Sequence, residues 1–103
     1  MDIGSAIKIL RKQRNISQKE LANKCGLSTN SICNIENNIS FPQKSTITKI
    51  CQTLNIPSAY LLFFALSEDD IPVEKREIFN VLKVPLNNVL LDSIKETDNG
   101  NKL

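Results

Sequence analysis

Residues 17–37, SQKELANKCGLSTNSICNIEN, constrain the fold of this chain more than any other stretch. Two runs of helical apolar spacing flank a single glycine, so the chain must make two short helices with a sharp turn between them. Ser17 followed by Glu20 reads as a capping box that starts the first helix. Leu21, Ala22 and Cys25 then fall on one face, and the small Ala22 lets a second helix approach closely. Gly26 stands where the first helix must stop, in a left-handed conformation that costs glycine little. Ser28 caps the second helix, and Ile32 and Ile35 repeat on its inner side.

The outer side of that second helix carries Thr29, Asn30, Cys33 and Asn34. Small amides and hydroxyls suit the edges of bases: an Asn amide pairs bidentately with adenine, and a Thr methyl meets the thymine methyl. Two helices joined in this way form a helix-turn-helix, which sets one helix into the DNA major groove.

The motif lies within a longer string: IKILRKQRNISQKELANKCGLSTNSICNIENN, a loop with Pro42, then TITKICQTLNIPSAYLL. In this order, the chain from Ile3 to Leu66 resembles the lambda-repressor/Cro-type helix-turn-helix domain, often called the XRE family. The resemblance implies an all-α fold, with a compact five-helix DNA-binding domain over residues 1–66 and its helix-turn-helix at 17–37. It implies that Thr29, Asn30 and Asn34 face bases, and that Gln18 and Asn37 hold phosphates, with Ser28, Lys19 and Lys44 beside them. It also implies an ion pair between Arg11 in the first helix and Glu36 at the end of the reading helix. Such a pair would fix the angle of the reading helix. Several residues depart from the family pattern. Asn38 replaces a usual glycine, which an Asn tolerates in the left-handed conformation. Ile39 and Ser40 replace a basic pair. Lys44 takes a usually apolar position, where its stem can cover the core while its amine reaches a phosphate. Pro57 replaces a serine cap and suits a helix start.

The charge distribution agrees with a polyanionic partner. The 103 residues carry a net charge of +2. Through Leu66 there are eight basic residues against three acidic ones, and after it five against eight. A basic head attracts nucleic acid, and an acidic tail is held away from it. A chain of this length bounds one core.

No catalytic constellation is expected. There is no histidine, which removes the common general base and restricts metal ligation. Gly4, Gly26 and Gly100 form no phosphate-cradling loop, and the adjacent Asp69 and Asp70 read as caps for the next helix. We therefore expect no enzyme, no cofactor and no metal. The three cysteines include no CxxC pair. Cys25 and Cys51 fall on inner faces as small core residues, and Cys33 is partly exposed. The longest apolar run, residues 59–66, is far short of the roughly 20 needed to span a membrane. The start of the chain lacks a signal-peptide pattern. The expected location is cytoplasmic.

Residues 67–103 read as a C-terminal extension of two helices. The first covers about residues 73–83, with Ile78, Phe79 and Leu82 as its apolar positions. The second covers about 85–96, with Leu86, Val89, Leu90 and Ile94 in a stripe; residues 97–103 read as a frayed polar end. The preceding helix, 58–66, is apolar nearly all round, so it has neighbours on more than one side. The expected use of these surfaces is a homodimer, with Tyr60, Phe63, Phe64, Phe79, Leu86 and Leu90 as candidate interface residues. The alternative is a tail folded back on its own domain. Two-fold symmetry would set two reading helices one DNA turn apart, roughly 34 Å. The expected function is a sequence-specific DNA-binding regulator, a repressor at a palindromic operator. The alternative is a protein-interaction module such as an antitoxin, whose tail binds a partner protein.

Overall fold

The computed structural model describes the backbone of residues 1–100 and side chains through residue 89. Every regular element among the described residues is helical. The chain divides into two compact units, Met1–Ala65 and a second that begins at Leu66.

Five helices build the first unit: α1 (Ile3–Gln13), α2 (Gln18–Cys25), α3 (Thr29–Glu36), α4 (Lys44–Leu54) and α5 (Ser58–Ala65). Their packing follows a closed ring: α1 on α3, α3 on α2, α2 on α4, α4 on α5, and α5 back on α1. The ring encloses Ile7, Leu10, Leu21, Ile32, Ile50, Leu54 and Leu61, all fully buried. Each such side chain contributes about 1.5–3 kcal/mol on leaving water. Within α1, Ile3, Ala6, Ile7 and Leu10 recur at helical spacing and are all buried, which is what seats this helix against two neighbours.

Helices α1 to α4 stop by one repeated device. Asn15, Asn38 and Asn55 have φ of 60°, 59° and 57°, and Gly26 has 68°. In each case the next residue donates its N–H back to a carbonyl five positions upstream: Ile16 to Arg11, Leu27 to Ala22, Ile39 to Asn34 and Ile56 to Cys51. This is the Schellman arrangement, in which a left-handed residue lets the chain satisfy the last carbonyls of a helix. Asn is the L-residue that tolerates this conformation best, so three asparagines take a place usually given to glycine.

The second unit differs from its expected division. Residues 73–83 and 85–96 do not form two helices. Glu68–Asp70 and Val73–Lys75 are single 3-10 turns, and one helix, α6, runs Arg76–Gly100 with Pro85 inside it. A proline forfeits one hydrogen bond of the helical ladder, but it does not by itself supply an ending. Each of α1 to α4 closes on a left-handed Asn or Gly, and no such residue stands next to Pro85. The start of the unit is tied locally. Ser67 and Asp70 form a reciprocal cap, and Asn80 donates to the Glu68 carboxylate at 3.1 Å. Among the described residues no helix is long and apolar enough to cross a membrane.

Candidate nucleic-acid interface

The helix pair α2–α3 is held in shape by short local bonds. Ser17 Oγ accepts from the Glu20 N–H at 3.0 Å, and Ser28 Oγ accepts from the Ser31 N–H at 3.0 Å. These satisfy donors that the first turn of a helix leaves unpaired. Between the two caps lies Gly26, whose left-handed φ would strain any side chain with a Cβ.

On α3, Thr29 and Asn30 are exposed, and Asn34 and Cys33 are half-buried. Asn30 and Asn34 are four residues apart, and so are Thr29 and Cys33, so the four share one side of the helix. That side carries amide, hydroxyl and thiol groups and no charge. The Asn34 carbonyl is occupied by the N–H groups of Ile39 and Ser40, which anchors the following loop.

The five residues expected at phosphates stand in different situations. Lys19 and Lys44 are exposed, at the second residue of α2 and the first of α4. Ser28 spends its hydroxyl on the α3 cap and on Ser31 Oγ at 2.8 Å. Asn37 donates its amide to Cys33 Sγ at 3.4 Å. Gln18 is half-buried and donates its amide to Glu36 Oε1 at 3.0 Å.

Arg11 and Glu36 meet inside the domain. Arg11 Nε donates to Glu36 Oε2 at 2.7 Å, and its terminal nitrogen donates to Oε1 at 3.1 Å. Its other terminal nitrogen reaches the Ile16 carbonyl at 2.8 Å. Both residues are buried, with Glu36 only 4% exposed. A two-pronged guanidinium–carboxylate pair is the strong form of this interaction. With the Gln18 amide added, one carboxylate at the end of α3 ties α1, α2 and α3 together.

A second tie was not foreseen from the sequence. Gly4, in the first turn of α1, lies against the C-terminal end of α3. Its N–H donates to Asn38 Oδ1 at 3.2 Å, and the Asn38 amide donates in turn to Asp2 Oδ1 at 2.8 Å. Asp2 also caps α1 through the Ser5 N–H at 3.0 Å. The hydrogen bond from Asn38, reinforced by Ser5, holds the Asp2 carboxyl below its ordinary range. Arg14 is a further residue that the pattern did not single out. Its Nε donates to the Leu54 carbonyl at 2.8 Å, closing the end of α4. The sequence does carry a hint of the second tie: a glycine in the first turn of a helix, where its low helix propensity calls for a packing reason.

The loop after α3 presents Ile39 and Phe41, 71% and 74% exposed, where a basic pair was the family expectation for residues 39–40. Cys25 and Cys51 are buried, and burial pushes the Cys51 thiol up, which leaves it unreactive. Of the candidate dimer residues, Tyr60, Phe63, Phe64 and Phe79 are half-buried and Leu86 is exposed. The Leu90 side chain lies outside the described residues.

The comparison with known proteins follows the same stretch. A family model described as a helix-turn-helix domain matches residues 4–63. The chain is also similar to an HTH-type transcriptional regulator, ImmR, of Bacillus subtilis (strain 168). The two are 31% identical over 62 residues, which cover 60% of this chain and 49% of that protein. The chain thus spans about half the length of this relative.

Proposed function

The chain belongs to the helix-turn-helix domain family, in its lambda-repressor/Cro-type form, and from that premise we propose that it is a sequence-specific DNA-binding transcriptional regulator. It acts in the cytoplasm as a repressor, by occupying a palindromic operator as a homodimer rather than by catalysis. Thr29, Asn30 and Asn34 read base edges, and Lys19 and Lys44 lie along phosphates. Gln18 and Asn37 place their backbone, more than their occupied amides, near the strand. The name of the Bacillus subtilis relative supports regulation of transcription.

One observation carries this reading. An uncharged polar face on α3 carries the exposed Thr29 and Asn30 and the half-buried Asn34, while its C-terminal end is fixed twice to α1, through Glu36 and through Asn38. A reader of bases needs its side chains exposed and its backbone angle fixed, because bidentate pairing with a base edge tolerates little displacement.

In-vitro selection of duplexes by the purified protein at near-physiological salt tests the proposal. The expected result is enrichment of an inverted repeat. Weak, salt-sensitive binding with no enriched sequence would overturn specific recognition.

A further inference from the structure

Helix α6 has an exposed side of which the expected interface residues include only Leu86. Ile78, Leu82, Pro85 and Val89 follow one another at spacings of four, three and four residues. This is the alternation that keeps side chains on one line along a helix. Val81 and Leu86 flank the line. All six residues are exposed, Ile78, Val81 and Val89 by 61%, 66% and 58%. Phe79, Lys83 and Asn87 lie on the other side of the helix and are half-buried. The Lys83 ammonium sits 5.6 Å from the centre of the Phe79 ring.

We propose that this line of apolar side chains on α6 is the surface through which two copies of the chain pair. Two features favour a second copy as the occupant. The first is area. Side chains of these sizes and exposures present on the order of 500 Å² per chain, more than a few scattered surface residues amount to. Two such faces together remove on the order of 1,000 Å² from water, which reaches the low end of specific interfaces. The second is charge. Between Ile78 and Val89 the one charged residue is Lys83, and it lies on the opposite side of the helix. A face with no charge selects no charged partner. Set against an identical face about a two-fold axis, it strands no ion in the contact. The proposal supplies the second copy that the palindromic reading requires, and it rests on that part of the reading alone.

Sedimentation equilibrium on the full chain, without DNA, tests it from micromolar to near-millimolar concentration. Wild type should approach the mass of two chains. A double variant, Ile78→Glu with Leu82→Glu, should sediment as a single chain, its self-association at least tenfold weaker. Both positions are exposed, so its circular dichroism should match wild type, and so should its urea midpoint at concentrations where wild type is a single chain. Val73→Glu removes an exposed apolar residue off the line and should pair as wild type does. A wild-type chain that stays single throughout, or a double variant that still pairs, would overturn the proposal. The first of these would leave the face to a different protein. Because no DNA enters the measurement, a failed operator selection and a failed pairing are separate results.

Discussion

Gly4 lies against the carbonyl oxygen of Ile35, so close that a methyl group on its α-carbon would collide with that oxygen. The same methyl would come within 2.7 Å of the Glu36 carbonyl and 2.6 Å of Asn38 Oδ1. Two of these three neighbours are backbone, which cannot rotate away. The start of α1 and the end of α3 therefore approach as closely as they do because position 4 has no side chain.

Gly4→Ala should accordingly be destabilising, although alanine is the better helix former. The helix-propensity gain is about 1 kcal/mol. Overpacking against a fixed backbone costs about 1–3 kcal/mol and wins. Urea unfolding should show a lowered midpoint, while Lys8→Ala, an exposed change on the same helix, stays within about 0.5 kcal/mol of wild type. A Gly4→Ala chain as stable as wild type would mean that the two helix ends move apart without loss.

Arg11 and Glu36 predict a non-additive pair. Arg11→Met leaves the Glu36 carboxylate buried without its cation, and Glu36→Leu leaves the guanidinium in the same position. Each single change should cost about 3–5 kcal/mol. The double change removes both charges and should recover much of that loss, because a buried pair contributes little beyond what apolar packing would. Unfolding of the four chains in a cycle measures the coupling, and additive losses would contradict it.

The three left-handed asparagines separate backbone from side chain. Asn55→Ala should cost about 1–2 kcal/mol, since alanine strains at positive φ. Asn55→Gly should be nearly neutral. Asn38→Gly should not be, because it loses the bonds to Gly4 and Asp2 that Asn55 does not make. Thermal melting of the glycine variants ranks them: Asn38→Gly should melt below Asn55→Gly.

Asp2 gives the stability a pH dependence of known sign. Its carboxyl is lowered first by the Asn38 amide and then by the Ser5 N–H. A lowered folded value means the unfolded chain binds the proton more readily. Its contribution is therefore fully present above the unfolded value, about 3.9. It is lost as the pH falls through the folded value. Asp2→Asn should flatten the acid limb of a melting-versus-pH curve below about pH 4 and leave its neutral limb parallel to wild type.

The parts of this fold that could be read from the sequence are those that act locally. Ser17, Gly26 and Ser28 each settle a helix end within three residues of themselves, and the structure has them in those places. The Asn15–Ile16 and Asn55–Ile56 steps repeat the Gly26–Leu27 step, a left-handed residue followed by an apolar one. Asn38–Ile39 is a third such step, so the recurrence is legible in the sequence. The role of Gly4 depends on the end of a helix some thirty residues away, and no local pattern contains that distance. Pro85 misled for the opposite reason. It is a strong local signal for a break, but no left-handed residue beside it satisfies the carbonyls of a helix ending there. On α3, the uncharged residues of the outer side were legible. The engagement of Gln18, Ser28 and Asn37 with other protein groups was not, because it depends on which partners the fold brings near.

Asn30 and Lys19 separate the two ways of holding DNA. Both are exposed, one on the uncharged side of α3 and the other on α2. Asn30→Ala should weaken binding to the selected operator by about 1–3 kcal/mol. It should leave binding to random duplex unchanged, since the lost contact carries sequence information. Lys19→Ala should weaken both duplexes alike and reduce the slope of log K against log salt by about 1, because one phosphate contact fewer releases about one counterion fewer. Fluorescence anisotropy across a salt series on both duplexes reads these effects together. If Asn30→Ala lowered operator and random binding equally, α3 would hold the backbone and some other surface would read the bases.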